Sequence, residues 1–277
     1  MSFVEDALKF HAEHNGMLAV ASKVPLNNRE DLALAYTPGV AEPCKAIKEN
    51  KELSFEYTCR GNTVAIVSDG TRVLGLGDIG PEAAMPVMEG KAVLFKTFGD
   101  VDAIPICIDT KDPEEIIETV RRLQPTFAGI NLEDFSSPKC YEIEDRLREI
   151  CDIPVFHDDQ HGTAIACLSA VMGALRYVKK DIKDVKVVVN GCGAAGSAIG
   201  RLFVSMGFPN VIMVERVGAL YKGIDAKLDK IQRYLSEVTN PNMEKGTLAD
   251  VAKGADILVG VSGPNLFTKE IIASMAD

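Results

Sequence analysis

Two pairs of adjacent acids carry the first hint of chemistry in this 277-residue chain: Glu133-Asp134, and Asp158-Asp159 within His157-Asp158-Asp159-Gln160-His161-Gly162-Thr163. Each pair follows an apolar run that reads as a strand, 126–132 in one case and 154–156 in the other. An aspartate ahead of the long apolar helix expected over 165–178 suits the positive end of that helix, so capping accounts for one of the second pair. A second acid between two histidines is more than a cap requires. If the two strands are parallel neighbours, about 5 Å apart, four carboxylates converge at the carboxyl ends of one sheet, where open α/β sheets bind ligands. Like charges that close need a counter-charge, and a hard divalent cation held by oxygen atoms supplies one.

Other residues invite two readings each. Lys91 lies in a helix expected to start at Pro81, with apolar neighbours at 87, 88, 92, 93, 94 and 95. Such a lysine either snorkels to water or is held in place as a base. Tyr36 stands at the Thr37-Pro38-Gly39 corner, where the simpler role is a packed aromatic with a wet hydroxyl.

Two stretches match G-x-G-x-x-G. Gly75-Leu76-Gly77-Asp78-Ile79-Gly80 follows a strand-like segment, but no later strand ends in an acid at the required spacing, so it reads as a tight turn into a helix. Gly191-Cys192-Gly193-Ala194-Ala195-Gly196 follows the apolar run 185–189 and opens the helix expected over 197–206. The next strand, 210–214, leads into Glu215, 22 residues beyond Gly193. That is the full dinucleotide setting: a tight turn, close approach of backbone to pyrophosphate, and an acid for the ribose hydroxyls. Glu215 favours NAD, because a 2′-phosphate would be repelled; Arg216 could pair with that phosphate and keeps NADP open.

The elements that must position these residues alternate. Strand-like segments at 63–68, 72–76, 102–108, 126–132 and 154–156 are interleaved with helices at 81–98, 113–123 and 138–150, after an amino-terminal region with helices at 2–14 and 40–49. Ser2 and Glu5 form a capping box for the first of these. Beyond the dinucleotide motif come a charged surface helix (225–236), a further helix and strand (248–253, 256–261) and a last helix (269–275). Strand–helix alternation means parallel sheets. The expectation is an α/β chain with an amino-terminal parallel-sheet domain, 1–160, followed by a Rossmann-type dinucleotide-binding domain, 161–277, with the stretch after Ile153 as the hinge.

Bulk composition is that of a globular protein, 47% hydrophobic and 25% charged. A net charge of −10 argues against nucleic acid or an anionic membrane as partner. The amino terminus lacks the pattern of a signal peptide, and the longest apolar run, near 164–175, is too short to span a bilayer. Cytoplasm is the expected location. Seven cysteines without a C-x-x-C pair read as buried reduced thiols rather than a zinc site.

Taken together the stretches resemble the malic enzymes, in their small bacterial and archaeal form. The resemblance rests on Ala35-Tyr36-Thr37-Pro38-Gly39-Val40-Ala41, Asp69-Gly70-Thr71-Arg72 through Gly80, Glu89-Gly90-Lys91-Ala92, Gly129 through Asp134, His157 through Ala164, and Val189 through Gly196, six motifs in order across essentially the whole chain. It implies oxidative decarboxylation of malate to pyruvate and CO₂ with reduction of NAD or NADP, dependent on Mg²⁺ or Mn²⁺. By resemblance, Glu133, Asp134 and Asp159 are ligands of the cation, Lys91 is the general base with Asp158 as its partner, Tyr36 is the general acid, and Arg72 grips a malate carboxylate. Gly191, Gly193, Ala194, Ala195 and Gly196 cradle the pyrophosphate, with Thr163 and Glu215 as further cofactor residues. A lysine titrates near 10.4 when free, so burial and a nearby cation must favour its neutral form.

A homodimer or higher homo-oligomer is expected. Family members continue past the point where this sequence ends, so the nucleotide-binding sheet is expected to be incomplete. Two other readings stay open: a malolactic-type decarboxylase that retains its NAD, and a non-catalytic nucleotide-binding relative.

Overall fold

The computed structural model describes residues 2–276. The amino-terminal region holds helices α1 (Phe3–His14), α2 (Arg29–Ala35), α3 (Ala41–Glu49) and α4 (Ser54–Tyr57). Ser2 and Glu5 form the expected capping box at the start of α1. None of these four helices buries a residue among those described. Large apolar side chains stand open instead: Phe3 is 87% exposed, Leu8 70% and Leu34 72%.

Alternation then begins with β1 (Thr63–Ser68), α5 (Pro81–Gly99), β2 (Asp102–Cys107), α6 (Pro113–Leu123), β3 (Gly129–Leu132), α7 (Lys139–Ile150) and β4 (Val155–His157). These strands form a sheet in the order β2-β1-β3-β4, with β1 parallel to both β2 and β3. Ala65, Ile66 and Val67 of β1 are fully buried, consistent with a strand covered on both faces. Pro113 opens α6 at its first position and Asp112 caps it through two backbone amides. The strand expected over 72–76 is absent. Arg72 is exposed, Leu74 sits at φ 45°, and a single bridge from Val73 to Gly77 closes a turn. Backbone in the left-handed region cannot continue a ladder. The strand expected from 126 starts at Gly129, because Gln124–Thr126 forms a 3₁₀ turn around Pro125.

The second alternating set is α8 (Asp158–Val178), β5 (Lys186–Asn190), α9 (Ala194–Ser205), β6 (Asn210–Glu215), β7 (Gly218–Ala219), α10 (Lys230–Val238), α11 (Leu248–Val251), β8 (Ile257–Gly260) and α12 (Lys269–Ala273). Its sheet runs β7-β6-β5-β8, with β5 parallel to β6 and β8. Alternate residues serve opposite faces. Val187, Val189, Val211 and Met213 pack with Val171, Leu175, Ile199 and Phe203, while Val188, Ile212 and Val214 pack with Val251 and Ala255. The helix expected over 225–236 starts only at Lys230, behind an Asp229–Gln232 capping box, and buries Leu235 and Ser236. The chain divides into two compact units, residues 1–135 with 142–156, and residues 136–141 with 157–277. Among the described residues no helix is long and apolar enough to cross a membrane.

Candidate active site

In the first unit the strand β3 delivers the acidic pair Glu133-Asp134. The Glu133 amide donates to the Val67 carbonyl at 2.9 Å, continuing the ladder one residue past β3. Both acids are 5% exposed. Glu133 is held on both oxygens: Lys91 Nζ lies 3.0 Å from Oε1, and Asn131 Nδ2 donates to Oε2 at 2.9 Å. Lys91 reaches it from the middle of α5 and is itself 21% exposed, so it neither snorkels away nor loses water altogether. Asn131, 4% exposed, was not among the expected site residues. Its place in the run Gly129-Ile130-Asn131-Leu132-Glu133, two residues before an acid on the same side of the strand, was the available signal.

Asp134 adopts φ 58°, a left-handed turn that Asp tolerates better than most residues. Its carbonyl accepts from the Arg72 amide at 2.9 Å, so the Asp69–Gly80 turn is stapled to the acidic pair. Asp69, 1% exposed, stiffens that turn by accepting from the Thr71 amide and hydroxyl. Lys91, Glu133, Asp134 and the backbone of Arg72 are thus gathered by three separate segments of this unit. Tyr36 is the carboxyl-terminal cap of α2 and is 67% exposed.

In the second unit the other acidic pair lies inside a helix rather than before it. The helix expected from 165 begins at Asp158, with His157 at the cap position and no side-chain cap. Asp158 and Asp159 therefore occupy its first turn, where the helix dipole favours negative charge. The Asp158 carboxylate lies over Gly162: a Cβ there would stand 2.0 Å from Oδ1, so only glycine permits this placement. Asp159, its side chain 34% exposed, has Oδ2 3.2 Å from Nε2 of the fully buried His157. Thr163 is exposed one turn further along α8.

The same unit carries the glycine-rich loop. Gly191 has φ 117°, Gly193 caps α9, and Ala194 and Ala195 form its first residues, half-buried. A Cβ at Gly196 would meet the Gly191 carbonyl at 1.8 Å, so the turn closes only around glycine. Glu215, at the end of β6, accepts from the Cys192 amide at 3.2 Å and from the Arg216 amide at 3.0 Å. The acid expected to meet a ribose thus also braces the loop. Burial, followed by the nearby Glu215 charge, pushes the Cys192 thiol far above its usual range. All seven cysteines are free; Cys140 and Cys192 are buried as expected of them, whereas Cys44 and Cys59 are exposed.

A parallel sheet followed by a glycine turn, a helix and a strand ending in an acid defines an α/β protein with a Rossmann-type dinucleotide unit. Comparison with known proteins is more specific. The family profile "Malic enzyme, N-terminal domain" matches residues 15–148, and "Malic enzyme, NAD binding domain" matches residues 160–277. The chain is 50% identical over 276 residues to the bifunctional malic/malolactic enzyme of Bacillus subtilis, covering 100% of this chain and 67% of that one. It is 52% identical over 261 residues to the NAD-dependent malic enzyme of Geobacillus stearothermophilus, covering 94% of this chain and 54% of that one. The crystal structure of an NAD-dependent malic enzyme from Thermotoga maritima superimposes with TM-score 0.95 at 47% identity, over 98% of this chain and 72% of that one. The chain belongs to the malic enzyme family. It spans two thirds of the first of these curated relatives and about half of the second.

Proposed function

We propose that the protein catalyses oxidative decarboxylation of malate to pyruvate and CO₂ with NAD(P) as hydride acceptor. The observation that carries this reading is the pairing of Lys91 with Glu133 at 3.0 Å, beside a second buried acid, in a chain of this family. Lys91 takes the proton from the malate 2-hydroxyl as hydride leaves carbon 2. The carbon–carbon bond to the departing CO₂ then breaks, and its electrons pass to the enolate of pyruvate. Tyr36 returns a proton to carbon 3, and Asp158 keeps Lys91 oriented. Arg72 pairs with a malate carboxylate through its planar fork.

The proposed ligands of the divalent cation are Glu133, Asp134 and Asp159. The donor set fits Mg²⁺ or Mn²⁺: it is oxygen only, and two of its members are carboxylates buried to 5% exposure, which a hard cation would neutralise. When bound, the cation supplies stabilisation of negative charge on the substrate 2-oxygen and the nicotinamide takes up hydride. Gly191, Gly193, Ala194, Ala195 and Gly196 receive the pyrophosphate at the start of α9, and Thr163 is a further proposed cofactor residue. Glu215 selects NAD over NADP.

We further propose a homo-oligomer in the cytoplasm, a dimer at least. The support is the set of amino-terminal helices that bury none of their described residues while Phe3, Leu8 and Leu34 stand exposed. Tyr36, 67% exposed, would act as an acid in a water-excluded site only once another copy covered it.

The deciding experiment is absorbance at 340 nm with malate and Mn²⁺, NAD and NADP in parallel, and EDTA as control. No reduced nucleotide in any arm would overturn the proposal. The name of the Bacillus subtilis relative favours one further reading, a malolactic reaction; lactate in place of pyruvate, without net NADH, would select it.

A further inference from the structure

Cys192, the second residue of the glycine-rich turn, is 1% exposed, and side chains hold both polar groups of its backbone. Its amide donates to Glu215 Oε2 at 3.2 Å, and its carbonyl accepts from the Ser197 hydroxyl at 2.9 Å. Ser197, the fourth residue of α9, is itself fully buried. A serine inside a helix ordinarily returns its hydroxyl to the carbonyl three or four residues back. Here the carbonyl four back, on Gly193, accepts from the Ser197 amide at 2.9 Å, and the hydroxyl reaches one residue further, out of the helix and into the turn.

A hydroxyl so deep cannot touch a nucleotide, yet it governs a group that can. The peptide joining Cys192 to Gly193 is planar and trans, so its C=O and its N–H point in opposite directions. With the carbonyl drawn inward by Ser197, the Gly193 N–H faces the other way, toward the exposed side of the turn. A Cβ on Gly193 would meet no atom beyond its chain neighbours within 4 Å, so no side chain stands over that position. Left unheld, the peptide would rotate readily, because Gly193 has no Cβ to resist the change of backbone angle.

We infer that Ser197 is a positioning residue for the nucleotide: its hydroxyl pins the Cys192–Gly193 peptide and so aims the Gly193 amide at the pyrophosphate. The inference rests on the reading of this turn as the pyrophosphate cradle. Backbone amides bind an anion well when they are oriented before it arrives, since ordering them on binding would cost affinity. Glu215 holds the peptide before Cys192 and Ser197 the peptide after it, so the turn is set from both sides.

The test uses the full chain and NADH, with two readouts: the Kd from nucleotide fluorescence, and the ¹H–¹⁵N resonance of Gly193. Both are taken well below the melting temperature of each protein. In the wild type, NADH should move the Gly193 amide proton downfield, as a hydrogen bond to an anionic oxygen does. Ser197→Ala should bind NADH about 3- to 10-fold more weakly, the span of one lost hydrogen bond, and its Gly193 shift at saturation should shrink. Unchanged affinity would overturn the inference. So would weaker binding with a full Gly193 shift, which is what a serine needed only for packing would give. Gly193→Ala separates the two layers. Gly193 has φ −76°, which any residue adopts, and open space at its Cβ position, so this variant should keep its fold and lose NADH. If it binds NADH like the wild type, the pyrophosphate reading of the turn fails; if it loses NADH while Ser197→Ala does not, only the role of Ser197 fails.

Discussion

Lys91 Nζ lies 3.0 Å from Glu133 Oε1, the side chain of the lysine 21% and that of the glutamate 7% exposed. The ammonium and a divalent cation would compete for the same carboxylate charge. Removing one partner of a fully buried pair costs roughly 3–5 kcal/mol, and the partial exposure of Lys91 puts this pair toward or below the lower end. Lys91→Ala should therefore melt earlier than wild type in EDTA and recover more of its Tm when Mn²⁺ is added. Its malate oxidation should fall about 10²- to 10⁴-fold, the span of a lost general base. Calorimetry with and without Mn²⁺, beside the 340 nm assay, reads both; full turnover would remove Lys91 from its role.

Asp134 separates charge from backbone. At φ 58° an asparagine is at ease, whereas alanine pays about 1–2 kcal/mol for the left-handed turn. Asp134→Asn and Asp134→Ala should both bind Mn²⁺ poorly, but only the alanine variant should also lose that much stability. Equal chemical-denaturation midpoints for the two would contradict the backbone argument.

Glu215→Gln keeps an acceptor for the Cys192 amide while removing the charge that would meet a 2′-phosphate. Hydrogen bonds to charged groups are worth roughly 1.5–3 kcal/mol, so the ratio of kcat/KM for NADP over NAD should rise about tenfold or more. An unchanged ratio would place nucleotide selection elsewhere.

Asp256 predicts an acid limb of the stability curve. Burial alone would raise its pKa, but the Lys180 ammonium at 2.7 Å and the Lys186 amide at 2.8 Å outweigh burial and hold it below 3.8. A carboxyl lowered in the folded state stabilises above its unfolded pKa and loses that contribution as pH falls through the folded one. Wild type should thus exceed Asp256→Asn in stability at pH 7, with the gap narrowing only below about pH 4. A gap that persisted into stronger acid would show that the contribution is not one of ionisation.

The sequence made much of this legible where one signal dominates. Pro113 with Asp112, and the Ser2–Glu5 box, mark helix starts by chemistry that nothing else competes with. The glycine loop from Gly191 to Gly196 was readable because strand, turn, helix and acid recur at fixed spacing. Two elements misled for opposite reasons. Residues 72–76 are apolar enough for a strand, but Leu74 takes a left-handed turn imposed by the stapling of Arg72 to Asp134, a tertiary contact no local window contains. Asp158 and Asp159 look like residues ahead of a helix, yet the first turn includes them, with the Asp158 carboxylate lying over Gly162. The Gln160–Arg201 hydrogen bond went unread because part-buried polar partners 41 residues apart leave no periodic trace, whereas Asn131, two residues before Glu133, carried a signal that a lone polar residue in an apolar strand makes faint.

That glycine also bears on how the protein could be engineered. Rules for raising thermostability replace glycines inside helices by alanine, each for about 1 kcal/mol, and α8 offers two of them, Gly162 and Gly173. At Gly173 a methyl group would enter open space, so the substitution should be a plain gain in melting temperature. At Gly162 the same methyl would collide with Asp158 and turn its carboxylate aside. If Asp158 orients Lys91 as proposed, a stabilisation campaign that treats the two alike would trade turnover for heat resistance at one carbon atom, and the pair of single variants would show where robustness and catalysis part company.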